Sequence, residues 1–326
     1  MNKIKTLMAR MDAEDLTEQK KIEMIPEILE LAKELANDAQ LNGNIALSTE
    51  VLDIVNNVTE ILSGILQTSS ADVKVVGAVA DVSKTSAQIT QTVADTAGAA
   101  GSTELAGQVL NTVNKITDNL SGLIRAPAAD ANIITAVADV SKTSAQIAQT
   151  VVADTAGAAG ISPELAGQAL NTVDKIADNL SAIMQVSAAD ADAVSAVADV
   201  SKTAAQITQT VADAAKDADN QELAQQAVTV AGELKAVTHQ VAVAAQQITA
   251  TSTDENTVST AEIIIQEVQD TENLLQSAVD VSVQAGASPP PAPSAGTPQA
   301  VTADPVQILD VQMDEPISDN KAASPN

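Results

Sequence analysis

Apolar residues return along most of this chain with a helical period. Val75, Val79, Val82, Ser86, Ile89, Val93 and Thr96 follow one another at alternating spacings of four and three, the seam of a packed helix. One residue further on runs a second row of mostly small side chains, Val76, Ala80, Ser83, Ala87, Thr90, Ala94 and Ala97. Two adjacent rows widen the apolar stripe, so such a helix can touch two neighbours instead of one. The next stretch keeps similar spacing through Leu105, Val109, Val113, Ile116, Leu120 and Leu123. Sustained period-two alternation is absent. The β-branched Val and Thr favour strands intrinsically, but the period and the Ala content outweigh them.

The pattern is copied. AVADVSKTSAQI begins at Ala78, recurs at Ala136 and returns as AVADVSKTAAQI at Ala196, at offsets of 58 and 60 residues. A second block, ELAGQVLNTVNKITDNLSG from Glu104, recurs from Glu164 and in decayed form from Glu222. Residues 75–132 and 133–192 agree at about three quarters of aligned positions, with one extra residue at Val151/Val152. Half a copy precedes them from Val55, and a remnant follows from about Thr251 to Gln284. Such self-similarity marks a repeat architecture.

The boundaries carry their own signals. Gly98 and Gly101 are placed to end one helix. Ser102, Ser162 and Asn220 are good N-caps, and Pro163 sits at the first helical position, where its missing N–H costs nothing. At the other junctions, Ser69-x-x-Asp72, Ser187-x-x-Asp190 and Thr251-x-x-Asp254 resemble a capping box, while the corresponding copy reads Pro127-x-x-Asp130. Helices are predicted at 14–38, 48–67, 70–97, 103–125, 129–156, 163–184, 188–217, 221–250 and 254–284. Short loops make successive helices antiparallel neighbours. The expected fold is all-α: tandem antiparallel helical hairpins of about 58–60 residues, forming an elongated stack or serial helical bundles. An N-terminal helical segment (1–47) leads into the array (48–285). From Gly286 the chain is Pro/Ala/Ser-rich, with eight of the eleven prolines, and a disordered tail is expected over 286–326. Its apolar island, Val306–Met313, reads as a sticky stretch in that tail, with a docking peptide as the alternative.

Composition narrows the function. The chain has no Phe, Trp, Tyr or Cys and a single His, which excludes disulfides, thiolate metal sites and aromatic platforms for stacked bases. With 16 Lys+Arg against 43 Asp+Glu, the net charge of −27 repels nucleic acid and anionic membranes. No apolar run is long enough to cross a membrane. The basic N-terminal stretch lacks an apolar h-region, so no secretory signal is expected and the cytoplasm is favoured, with non-classical export as the alternative.

Candidate chemistry is sparse. His239 stands where the other copies have Ser121 and Ser181, a substitution in one copy, and reads as a solvated histidine near a helix end. The acidic junctions at Asp72, Asp130, Asp190 and Asp192 read as helix capping; a calcium loop would need six to eight shaped oxygen ligands. Lys84, Lys142 and Lys202 each follow an Asp by three residues and read as helix-surface pairs, Asp81 with Lys84 among them. Thr85 and Thr96 are eleven apart, a spacing that keeps one helix face; in the next copy the insertion makes it twelve, Thr143 to Thr155. No catalytic, cofactor-binding or metal-ligating residue is assigned. The expected function is a non-enzymatic structural or protein-interaction scaffold that binds other proteins or itself. The alternative is an exported surface or matrix protein whose acidic helices bind cations or ice.

Overall fold

A computed structural model of the chain describes residues 2–11, 16–155 and 161–289. Among the described residues there are ten helices and no strand: α1 (Asn2–Met11), α2 (Glu18–Asn42), α3 (Ile45–Ser69), α4 (Val73–Ala100), α5 (Thr103–Arg125), α6 (Ala131–Thr155), α7 (Pro163–Ser187), α8 (Ala191–Asp217), α9 (Gln221–Thr251) and α10 (Glu255–Gln284). The expected tail beyond Ser288-Pro289, its island Val306–Met313, and the loop at 156–160 lie outside the described residues.

From α2 onward each helix packs on the next in sequence and on the next but one, and on nothing further away. Even-numbered helices therefore line one layer and odd-numbered helices the other, and the array grows in one direction as a stack. Serial four-helix bundles would instead close on themselves, with contacts between first and fourth helices. The two rows in α4 explain the arrangement: every member of both is buried. One helix thus covers a sequence neighbour and the equivalent helix of the adjacent repeat. Three polar members of the rows bond to their own helix, Ser83 Oγ donating to Val79 O at 2.8 Å, Thr90 Oγ1 to Ser86 O at 2.8 Å and Thr96 Oγ1 to Thr92 O at 3.0 Å, while the buried hydroxyl of Ser86 has no partner among the described residues.

At the C-terminal end α10 lies against both α8 and α9, covering the two layers with one helix, as a terminal repeat must. At the other end the short helix α1 packs on α2 and buries Ile4, Leu7 and Met11. The sequence reading assigns 1–47 as a helical segment but places no separate helix at its start. It also starts the next helix at 14, four residues before the observed start, where Thr17 is the N-cap.

Ser102, Ser162 and Asn220 cap α5, α7 and α9 as expected, accepting from the N–H of Leu105, Leu165 and Leu223. Gly101 is the left-handed residue that ends α4, at φ 60°, and its counterpart before α9 is Asp219 at φ 51°, a residue type that tolerates this region. Gly98 does not end the helix. It lies within the last turn of α4, where Asp154 of α6 packs so closely that a Cβ on Gly98 would overlap its carboxylate. The capping-box expectation is also corrected. At these junctions the Asp is itself the N-cap: Asp72 Oδ1 accepts from Lys74 N at 2.9 Å, Asp190 Oδ1 from Asp192 N at 3.0 Å, and Asp254 Oδ2 from Thr257 N at 2.9 Å. Ser69 and Ser187 instead close a turn ahead of it, their carbonyls accepting from the N–H of Asp72 and Asp190.

Candidate functional site

What the stack does with its polar side chains is to tie one repeat to the next. On the even layer Lys84 of α4 reaches Asp139 of α6 at 2.7 Å, Lys142 of α6 reaches Asp199 of α8 at 2.7 Å, and Lys202 of α8 lies 3.8 Å from Asp270 of α10. The expected Asp81–Lys84 pair is therefore replaced. Lys84 turns to the equivalent Asp of the following repeat, and Asp81 has no cation within ion-pair distance among the described residues. The D-x-x-K spacing suits both pairings; packing of α6 beside α4 decides for the longer-range one. Amides repeat the pattern, with Gln149 Nε2 donating to Gln206 Oε1 at 2.9 Å.

The odd layer runs the other way. Lys115 of α5 reaches back to Glu60 of α3 at 2.8 Å, and Lys175 of α7 back to Asp118 of α5 at 2.7 Å. Beneath these exposed pairs lie buried ones. Asn119 Nδ2 donates to Thr59 O at 2.9 Å and Asn179 Nδ2 to Thr117 O at 3.1 Å, while Ser121 Oγ donates to Asn179 Oδ1 at 2.6 Å. Asn179 is 1% exposed, so these bonds fix the axial register of α3, α5 and α7 where water cannot substitute. The signal was present as an Asn beside the apolar seam in both copies.

The ladder stops at α9. The position of Lys115 and Lys175 is Glu233 there, and the position of Asn119 and Asn179 is Val237. Glu233 meets Asp174 and Asp178 of α7. A shared hydrogen bond with Asp174, partial desolvation and the two neighbouring negative charges raise its carboxyl to about 7. On α10, Glu267 is also shifted up, first by burial and then by the charge of Asp199. At the far end, hydroxyls of Ser69 and Thr68 donate to Glu18 and hold its carboxyl below the usual range.

The remaining candidates fall apart spatially. His239 is exposed on α9. The carboxylates of Asp72, Asp190 and Asp254 receive backbone N–H groups as caps, and Asp130 Oδ1 accepts from Ile133 N at 3.0 Å. No group of three acidic or His side chains is placed to hold a metal ion among the described residues. Thr96 is buried, 2% exposed, and bonded to Thr92 O at 3.0 Å, so Thr85 and Thr96 do not form an exposed row. Between α5 and α7 runs an open groove of about 760 Å³ bordered by Gln108, Asn111, Gln168 and Asn171. Glu104, Glu164 and the capping Ser162 line it as well.

Fold and ladders together define a tandem helical-hairpin repeat protein. No known protein family matches the chain, and no curated protein matches it. Solved structures similar to it are designed helical repeats. The DHF38 filament is 17% identical, covering 72% of this chain and 97% of that one at a TM-score of 0.48. The DHF119 filament is 16% identical over 71% and 97%, at 0.47. The de novo designed helical repeat protein DHR64 is 17% identical over 81% and 100%, at 0.38. The likeness is one of stacked helices and carries nothing further.

Proposed function

We propose that this protein is a non-enzymatic structural scaffold or spacer, an acidic repeat array that binds other proteins or copies of itself. The observation that supports this is where its polar chemistry goes: lysines, amides and buried asparagines join repeat to repeat at equivalent positions, in place of converging on one reacting centre. Repetition of this kind adds reach without adding chemistry. Within this reading the chain divides into a lead-in segment at 1–47, the array at 48–285 and a tail at 286–326. No helix of the described residues is long and apolar enough to cross a membrane.

The test is capture with the full chain as bait, followed by reconstitution of any captured protein from purified components. A stoichiometric partner, or concentration-dependent self-association in sedimentation, supports the scaffold. The net charge of −27 opposes self-association at low salt, so NaCl should promote it, by screening over a Debye length of about 8–10 Å near physiological ionic strength. CaCl₂ at matched ionic strength should do no more. Calcium-specific assembly at micromolar concentration, with no protein partner, would replace this reading with a cation-binding one.

A further inference from the structure

The odd-layer ladder has one rung of the wrong sign. Between α3 and α5 the exposed rung is Glu60 with Lys115, and between α5 and α7 it is Asp118 with Lys175. The register of the copies puts Asp178 opposite residue 233 in the next rung, and residue 233 is Glu. A second change deepens the effect. The residue before each lysine in α5 and α7 is Asn114 and Asp174, with Asn56 as the equivalent in α3, so the neutral amide of the earlier rungs becomes a carboxylate here. A neutral rung of one lysine and one acid becomes three carboxyl groups on two packed helices. The buried Asn bond that would hold α9 to α7 is absent as well, since Val237 stands in its place. Glu233 and Asp178 are exposed and Asp174 is half-buried, so solvent screens part of their repulsion, and a proton taken up by one carboxyl relieves the rest.

We infer that the α7–α9 rung is a proton-controlled joint: a proton shared by Glu233 and Asp174 closes it, and ionisation of all three carboxyls loosens the docking of α9 on α7.

Lysines on the neighbouring helices are engaged elsewhere among the described residues. The charged groups acting on Glu233 are Asp174 and Asp178 of α7. Lys175 is turned to Asp118 of α5, and Lys235, on α9 itself, donates to Gln276 of α10. On α8, Lys202 lies toward Asp270 of α10 and Lys216 donates to Gln284. The sign follows from linkage. The carboxyl of Glu233 lies near 7 when docked, against an ordinary 4.5, so the docked state binds the proton more tightly. Docking is therefore strongest in acid and weakens as pH rises through that interval. The inference does not depend on the scaffold reading, since an array of any function would carry the same joint.

The experiment is hydrogen exchange on the full chain from pH 5 to pH 8, corrected for intrinsic rates, comparing amides of α9 around Glu233 with those of α5. The α5 amides and the variant Glu233→Gln report the general effect of shedding negative charge in acid. Expected is a gain in α9 protection, relative to α5, of about two- to fivefold on going from pH 8 to pH 5, because solvent screening at the exposed Glu233 holds the effect well below the full shift. Glu233→Gln should abolish that gain. Glu233→Lys, which restores the ladder opposite Asp178, should protect α9 at pH 8 as well as acid does in the parent. Asp174→Asn, restoring the amide of the earlier rungs, should flatten the profile independently. A flat α9 profile in the parent, or the same profile in parent and Glu233→Gln, overturns the joint.

Discussion

The two layers of the stack use the same inventory of charge with opposite direction and different depth. In the even layer, Lys84 and Lys142 reach forward to the following repeat, and what lies beneath is mainly small side chains: Ser83 and Thr90 bond to their own helix, while the buried hydroxyls of Ser86, Ser141 and Ser144 have no partner among the described residues. In the odd layer, Lys115 and Lys175 reach backward, and beneath them Asn119 and Asn179 cross between helices to backbone carbonyls. Small side chains in the even layer give close, nearly featureless packing, which specifies contact but not register. Buried asparagines in the odd layer specify register, because a slip would leave an amide unpaired in a dry interface. One layer supplies density and the other alignment.

If density depends on neighbours, a lone hairpin should fail. Residues 73–125, expressed alone, leave exposed the faces that α4 and α5 bury on adjacent repeats. Their Val and Ala side chains return roughly 0.8 kcal/mol per buried methylene-sized group, against an ordering cost on the order of 1–2 kcal/mol per residue. The hairpin should be unfolded or self-associated, while two or three repeats fold. Circular dichroism melting combined with sedimentation checks this, and a monomeric, cooperatively melting hairpin would contradict it.

Within the intact chain the largest single-residue effect should come from the even-layer seam. Ile147 is fully buried among Val and Ala, which relax poorly into a cavity. Ile147→Ala should cost about 2–5 kcal/mol in denaturant unfolding. Asn179→Ala tests the odd layer. It removes a donor to Thr117 O and the acceptor for Ser121, and should cost about 1–3 kcal/mol. The exposed Asn171→Ala should stay within about 0.5 kcal/mol of the parent. Equal effects at Asn179 and Asn171 would remove the distinction between the layers.

What could be read from the chain alone divides along the same line. The buried rows of α4, the seam of α5 and the caps Ser102, Ser162 and Asn220 are one-dimensional signals, set by period and by the need of helix ends for acceptors. The partner of Lys84 is not such a signal, because Asp81 and Asp139 are the same residue in two copies. The Asp caps were obscured for a related reason: S-x-x-D reads as a capping box whichever of its two residues does the capping. Helix α1 buries Ile4, Leu7 and Met11 against α2. Glu233 was visible only by comparing the copies column by column, where Lys, Lys, Glu is a reversal of sign and not a drift in composition.

The smallest effect is the sharpest test of register. Lys84 and Asp139 are each about half exposed, at 47% and 46%, so their pairing contributes only about 0.2–1 kcal/mol. A double-mutant cycle on Lys84→Gln and Asp139→Asn should recover a coupling of that size, while the cycle on Lys84→Gln and Asp81→Asn should give none. The two aspartates share a sequence context and a net charge, so general electrostatics cannot separate them; only the position of α6 beside α4 can. The coupling should vanish in 1 M salt, where the Debye length falls to about 3 Å. A coupling found at Asp81 instead would mean that the pair is local to the helix, and the forward direction of the even-layer ladder would have to be abandoned.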